Sequence, residues 1–272
     1  MSVRPLTSRV AIVTGANQGI GAATAVALAA AGADVGVSYL RLQVPDDDPG
    51  RPAAYAEARA RNGSAVVRAI EAAGRRAVSV EADLSDPSTP RRIFDRVEAA
   101  LGPVSILVNN ASGWRQDTFG GEPTDGVGRP NRAVTAASID AQLLVDARGS
   151  ALMISELATR ARRRNADWGR IVSLTSGGPG GFPGEVSYGA AKAALESFTM
   201  SAASELAAAG ITANVVHPPV TDTGWVTDAV RRLVAESHDL HHVAEPGDVA
   251  EVVVWLCTDA ARLVTGTLIR LR

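Results

Sequence analysis

The chain has 272 residues, 46% of them hydrophobic and 21% charged, which is long enough to bury a sizeable core and too apolar for a disordered protein. Its 27 Lys and Arg stand against 29 Asp and Glu, and a net charge of -2 argues against nucleic acid or an anionic membrane as partner. The basic residues are 26 arginines and one lysine, Lys192, while a lone cysteine, Cys257, excludes an intrachain disulfide and a multi-cysteine metal site.

Taken in chain order, short apolar runs alternate with longer helical patterns, as in βαβ units around a parallel sheet. Seven strands are predicted, at Val10–Val13, Val35–Ser38, Ala77–Val80, Ile106–Val108, Ile171–Leu174, Thr212–Val216 and Thr267–Ile269, with about six helices between them. No linker or repeat divides the series. The expectation is therefore an α/β, doubly wound parallel sheet with helices on both faces, in one domain over residues 1–272. No apolar stretch approaches the ~20 residues that cross a bilayer, and the N-terminus lacks a signal-like apolar core, so a cytoplasmic location is expected.

The first strand runs into Thr14-Gly15-Ala16-Asn17-Gln18-Gly19-Ile20-Gly21 and then an Ala-rich helix. Glycines at such a junction let the backbone approach a pyrophosphate, whose charge rests on the free NH groups of the helix. Gly15, Asn17, Gln18, Gly19 and Ile20 are thus candidate cofactor contacts. The spacing is G-x3-G-x-G rather than G-x-G-x-x-G, so a purely structural glycine turn remains an alternative. Asp34 falls about twenty residues after the first glycine but opens the second strand, more than about 10 Å from its far end at ~3.3 Å per residue. That far end reads Ser38-Tyr39-Leu40-Arg41. It offers no carboxylate for a ribose 2'-hydroxyl, and Arg41 can pair with a 2'-phosphate, which favours NADP(H) over NAD(H).

Two loops look overlong. Residues 41–52 hold Asp46, Asp47 and Asp48 and read as a solvated face; residues 113–132 follow a strand's carboxyl end, where ligands bind in open α/β sheets. Further on, Lys192 lies four residues after Tyr188, so a helix over 187–209 puts phenol and ammonium on one face, ~5 to 6 Å apart at Cβ. An ammonium there stabilises the phenolate and makes the tyrosine a usable acid and base; a surface pair is the bland alternative. Cys257 reads as the buried face of a helix. His238, His241 and His242 have i, i+3, i+4 spacing within the segment Trp225 to Val243; a solvated helix is expected there, and no metal site.

The glycine turn, Asn109-Asn110-Ala111 after the fourth strand, Ser176 after the fifth and Tyr188-x-x-x-Lys192 together resemble the short-chain dehydrogenase/reductase family, from about Val10 to Ile269. The chain is most similar to the single-domain branch that contains 3-oxoacyl-carrier-protein reductases. The resemblance implies a Rossmann fold and hydride transfer between NADP(H) and a carbonyl or secondary alcohol. Tyr188 would be the general acid/base, Lys192 would hold the nicotinamide ribose, and Ser176 would bond the substrate oxygen. Asp83 and Leu84 would meet the adenine, and Asn110, Ala111 and Ser112 the adenosine side. Pro218, Val220, Thr221 and Thr223 would hold the nicotinamide amide. A small-molecule substrate, a lid over 225–243 and a homodimer or homotetramer are also implied.

Several positions depart from the family pattern. The asparagine that organises a water relay to the lysine is replaced by Asp146, a candidate supporting catalytic residue whose charge would raise the lysine pKa and oppose its effect on Tyr188. Spacing to Tyr188 would select Thr175 over Ser176, while strand register selects Ser176. Ser112 and Pro219 stand where the family has glycine. These departures keep open the alternative of a catalytically impaired dinucleotide-binding protein; an epimerase or dehydratase of the same superfamily is a second alternative, against which the missing acid after the second strand counts.

Overall fold

A computed structural model describes residues 4–42, 52–178 and 180–272. The strands are β1 (Val10–Val13), β2 (Asp34–Tyr39), β3 (Ala77–Glu81), β4 (Ile106–Asn109), β5 (Gly169–Leu174), β6 (Ile211–His217) and β7 (Leu268–Arg270). They form one seven-stranded sheet in the order β3-β2-β1-β4-β5-β6-β7, every pairing parallel. All seven predicted strands are present, each within a residue or two of its expected bounds. The order reverses between β1 and β4, which opens a crevice beyond their carboxyl ends.

Nine α-helices lie among the described residues, more than the six expected: α1 (Gly19–Ala30), α2 (Ala53–Ala60), α3 (Ser64–Ala72), α4 (Thr89–Leu101), α5 (Ala136–Gln142), α6 (Ser150–Arg163), α7 (Val186–Glu205), α8 (Asp228–Glu236) and α9 (Pro246–Cys257). Two of the additions, α2 and α8, are short. A π-helical turn, Leu143–Gly149, joins α5 to α6. The predicted helix over the three histidines does not form, because α8 ends at Glu236 and His238, His241 and His242 are exposed beyond it. The aspartates at 46–48 lie outside the described residues.

Alternate side chains of the strands feed two cores, as a two-residue strand period requires. Val13, Val37 and Val108 pack with Leu28 of α1 and Val253 and Cys257 of α9. Ile12, Leu107 and Ile171 pack with Phe94 of α4 and Met153 and Leu157 of α6. Strands covered on both sides read as unbroken apolar runs, and β1 and β4 are buried along their whole length. Cys257 is fully buried, and burial pushes its thiol up to about 12.

Asp34 anchors the opposite end of β2 from the crevice. Its carboxylate is buried and accepts from Arg76 at 2.7 Å and pairs with Arg75 at 2.7 Å. Burial alone would raise its pKa, but those hydrogen bonds and charges hold it below the usual carboxylate range. No helix of the described residues is long and apolar enough to cross a membrane.

Candidate active site

The glycine turn after β1 fits its position because of two left-handed glycines. Gly15 has φ +63°, and a Cβ there would lie 2.8 Å from the Ala111 Cα; Gly19 has φ +54°, and a Cβ would lie 2.8 Å from Thr223 Cγ2. The turn is fastened to β4 by side chains. Thr14 Oγ1 accepts from the Asn110 and Ala111 NH groups at 3.0 Å each, and Asn110 Nδ2 donates to the carbonyls of Thr14 at 2.9 Å and Gly15 at 3.0 Å.

Beyond this turn a cleft of about 740 Å³ opens along the carboxyl edge of the sheet. Gly15, Asn17, Gln18, Gly19 and Ile20 form its floor. Tyr39 lines it from β2, Asp83 and Leu84 from the end of β3, Asn110, Ala111 and Ser112 from the end of β4, and Thr223 from beyond β6. These sequence-predicted cofactor residues are therefore brought together. The N-terminus of α1 has no side-chain cap and no acid in its first turn, and Gln18 Oε1 is buried without a hydrogen-bond partner. Free helix NH groups, close glycine backbone and a long cleft suit a dinucleotide whose pyrophosphate lies at the turn.

Arg41 does not join this group. Its Nε pairs with Glu81 Oε1 at 2.8 Å, an exposed contact, and it is not among the residues that line the cleft. The expectation overlooked Glu81 because the partner comes from β3, where register sets Tyr39 opposite Glu81. The cleft instead receives Arg59 from α2, a residue that the sequence reading missed.

Tyr188 and Lys192 lie on α7, and neither they nor Ser176 and Asp146 are among the residues that line the cleft, although Val145 and Gly113 beside them are. Lys192 is buried; its Nζ donates to the Leu174 carbonyl at 2.9 Å and pairs with Asp146 Oδ1 at 3.0 Å. Asp146 comes from the π-helical turn, fully buried, and its Oδ2 accepts from the Gly113 NH at 2.8 Å. The Lys192 Nζ is 5.4 Å from the centre of the Tyr188 ring, so the two side chains share one face of α7. Ser176 hydrogen-bonds Tyr188, whereas Thr175 is buried and donates to Glu196 Oε1 at 2.5 Å. Ser176, the residue that strand register selects, thus lies beside the phenol, while Thr175, the residue that spacing selects, faces Glu196.

Burial raises the Tyr188 pKa; the nearby Lys192 charge and the Ser176 hydrogen bond lower it, but Asp146 and Glu185 add to the rise, and the phenol ends at about 12. The expected net lowering by Lys192 is thus overtaken. Burial would lower Lys192, yet Asp146 and the phenol outweigh it and the ammonium is held above its ordinary value.

The long loop after β4 is tied to α7 rather than loose. Asp117, fully buried, accepts from the Ser187 NH at 2.9 Å and from Ser138 Oγ at 2.6 Å. Glu185 accepts from Trp114 Nε1 at 2.8 Å and from Arg129 at 3.1 Å; burial nonetheless keeps its pKa raised. Gly113 and Trp114 also line the cleft, so this segment links the cleft to the Tyr188 helix. Pro218, Val220 and Thr221 follow β6 outside the cleft walls. Thr221 Oγ1 donates to the Pro219 carbonyl at 2.9 Å, and Trp225 Nε1 to the Thr221 carbonyl at 2.9 Å.

Comparisons with known proteins place this geometry among relatives. A family described as enoyl-(acyl carrier protein) reductase matches residues 15–271. The chain is 35% identical over 273 residues to an NADPH-dependent aldehyde reductase-like protein of Arabidopsis thaliana, covering 97% of this chain and 93% of the relative. It is 30% identical over 263 residues to a 3-oxoacyl-[acyl-carrier-protein] reductase of Synechocystis, covering 96% and 94%. A short chain dehydrogenase from Burkholderia cenocepacia, solved with NADP, superposes with a TM-score of 0.79 at 33% identity, covering 98% of this chain and 97% of the other.

Proposed function

The chain belongs to the short-chain dehydrogenase/reductase family, and from that premise we propose that it is an NADP(H)-dependent carbonyl reductase or secondary-alcohol dehydrogenase in which Tyr188 moves the proton. The observation that supports this reading is the convergence of Tyr188, Lys192, Asp146 and Ser176 on one another, tied through the Asp146–Gly113 hydrogen bond to the wall of a cleft lined by the glycine turn. The nicotinamide cofactor, when bound, supplies or accepts the hydride.

The protein's own part is position and proton. Ser176 donates to the substrate oxygen and steadies the negative charge that grows there. Tyr188 stands beside Ser176 and gives that oxygen a proton during reduction, or removes it during oxidation. A phenol held near 12 keeps its proton at neutral pH, which suits the reductive direction. Lys192 keeps a positive charge close to the phenol and offers its remaining donor to the cofactor's ribose; Asp146 fixes its place. The turn residues and Asp83, Leu84, Asn110, Ala111 and Ser112 hold the rest of the dinucleotide. Relatives named NADPH-dependent or solved with NADP support the phosphorylated cofactor. One domain, assembled into a homo-oligomer through α6 and α7, completes the reading.

The test is loss of reduced-nicotinamide absorbance when purified protein meets NADPH and a panel of ketones and aldehydes. Turnover is expected, and Tyr188→Phe should lower it by ~100-fold or more. Full activity in that variant would remove Tyr188 from the mechanism. NADPH binding without turnover on any carbonyl would favour a dinucleotide-binding protein instead.

A further inference from the structure

We propose that Arg59, on the short helix inserted after β2, is the residue that recognises the 2'-phosphate of the cofactor and so sets its preference. The proposal rests on the dinucleotide reading above and deepens it.

Arg59 is only 8% exposed, an unusual state for an arginine. Among the described residues it makes no hydrogen bond or ion pair through its side chain; its guanidinium carbon lies 5.5 Å from the centre of the Tyr55 ring and has no other contact of that kind. A buried cation without a counter-charge is costly, and the cost is removed when a ligand brings an anion. The main chain around it is held at two points. The Leu42 NH donates to the Arg59 carbonyl at 3.1 Å, and Asn17 Nδ2 donates to the Arg61 carbonyl at 2.9 Å. Asn17 belongs to the glycine turn and Leu42 follows β2, so the last turn of α2 is fastened across the place where the second strand meets the pyrophosphate site. Arg59 lines the cleft there with Asn17, Tyr39, Leu42 and Tyr55.

In doubly wound folds the adenosine ribose lies at the end of the second strand. A guanidinium facing it offers a planar fork of donors that a phosphate dianion can fill and a neutral hydroxyl cannot. Arg41, closer in sequence to the strand end, is already paired with Glu81 and stands outside the cleft.

The experiment is calorimetric titration of the intact protein with adenosine 2',5'-bisphosphate and with adenosine 5'-monophosphate, ligands that differ only in the 2'-phosphate. Wild type should favour the bisphosphate by ~10-fold or more. Arg59→Met should bring that ratio close to one while leaving the monophosphate affinity within ~2-fold, and Arg41→Ala should keep the wild-type ratio. If the Met variant fails to bind the monophosphate, the ratio in Arg59→Gln decides by the same criterion. A wild type that does not discriminate would overturn the NADP(H) reading and this proposal with it. A wild type that discriminates, together with an Arg59 variant that still does, would overturn the assignment to Arg59 alone.

Discussion

Lys192 and Arg59 are both buried cations, 2% and 8% exposed, yet their surroundings are opposite. Lys192 is closed in by a carboxylate on one side and the last carbonyl of β5 on the other. Arg59 has an aromatic ring and, among the described residues, no anion. A cation with its counter-charge built in is part of the protein's own electrostatic balance and tunes a neighbour. One without it is completed from outside.

The largest effect that would break this contrast is in stability. Lys192→Met leaves the buried Asp146 carboxylate without its counter-charge, with only the Gly113 NH to satisfy it, and should cost about 3–5 kcal/mol in denaturant unfolding. Arg59→Met in the free protein should cost far less, because no partner is stranded. Equal losses would show that Arg59 has a structural counter-charge after all. Next in size is chemistry: Lys192→Arg should lower turnover at least ~10-fold, since a guanidinium cannot sit in the site of a compact ammonium between Asp146 and the Leu174 carbonyl. Near wild-type turnover would remove the lysine from the mechanism.

The smallest effect concerns pH. Asp146 raises both Tyr188 and Lys192, so Asp146→Asn should let the tyrosine pKa fall. Alcohol oxidation needs the phenolate, and its rate rises as pH climbs toward the tyrosine pKa. The rise should therefore move to lower pH in the variant, by roughly one unit, in a pH–rate profile. A shift to higher pH, or none, would show that Asp146 does not act on the phenol.

Much of the frame was legible in the sequence. Runs such as Val10–Val13 and Ile106–Asn109 are buried on both faces, so composition alone marks them. The glycine turn and Tyr188-x-x-x-Lys192 were legible because local spacing fixes their geometry. What stayed hidden depends on partners far apart in the chain. In the sequence Arg41 stands free to meet a phosphate, and only the pairing of β2 with β3 sets Glu81 beside it. Arg59 belongs to no motif in the sequence, and its place emerges only from the Asn17 hydrogen bond that holds the end of its helix against the glycine turn. Asp117 and Ser187 are seventy residues apart, and only the fold makes them neighbours.

The π-helical turn Leu143–Gly149 has a consequence for how this lineage could change. An α-helix turns by about 100° per residue, and a π-helical turn holds one residue more than its α-helical counterpart. Removing one residue from this segment would restore ordinary winding and swing Asp146 away from Lys192 without altering any strand. The charge beside the lysine is therefore set by a single codon's worth of length as well as by residue identity, and a one-residue deletion would be a route by which the tyrosine could be retuned in one step.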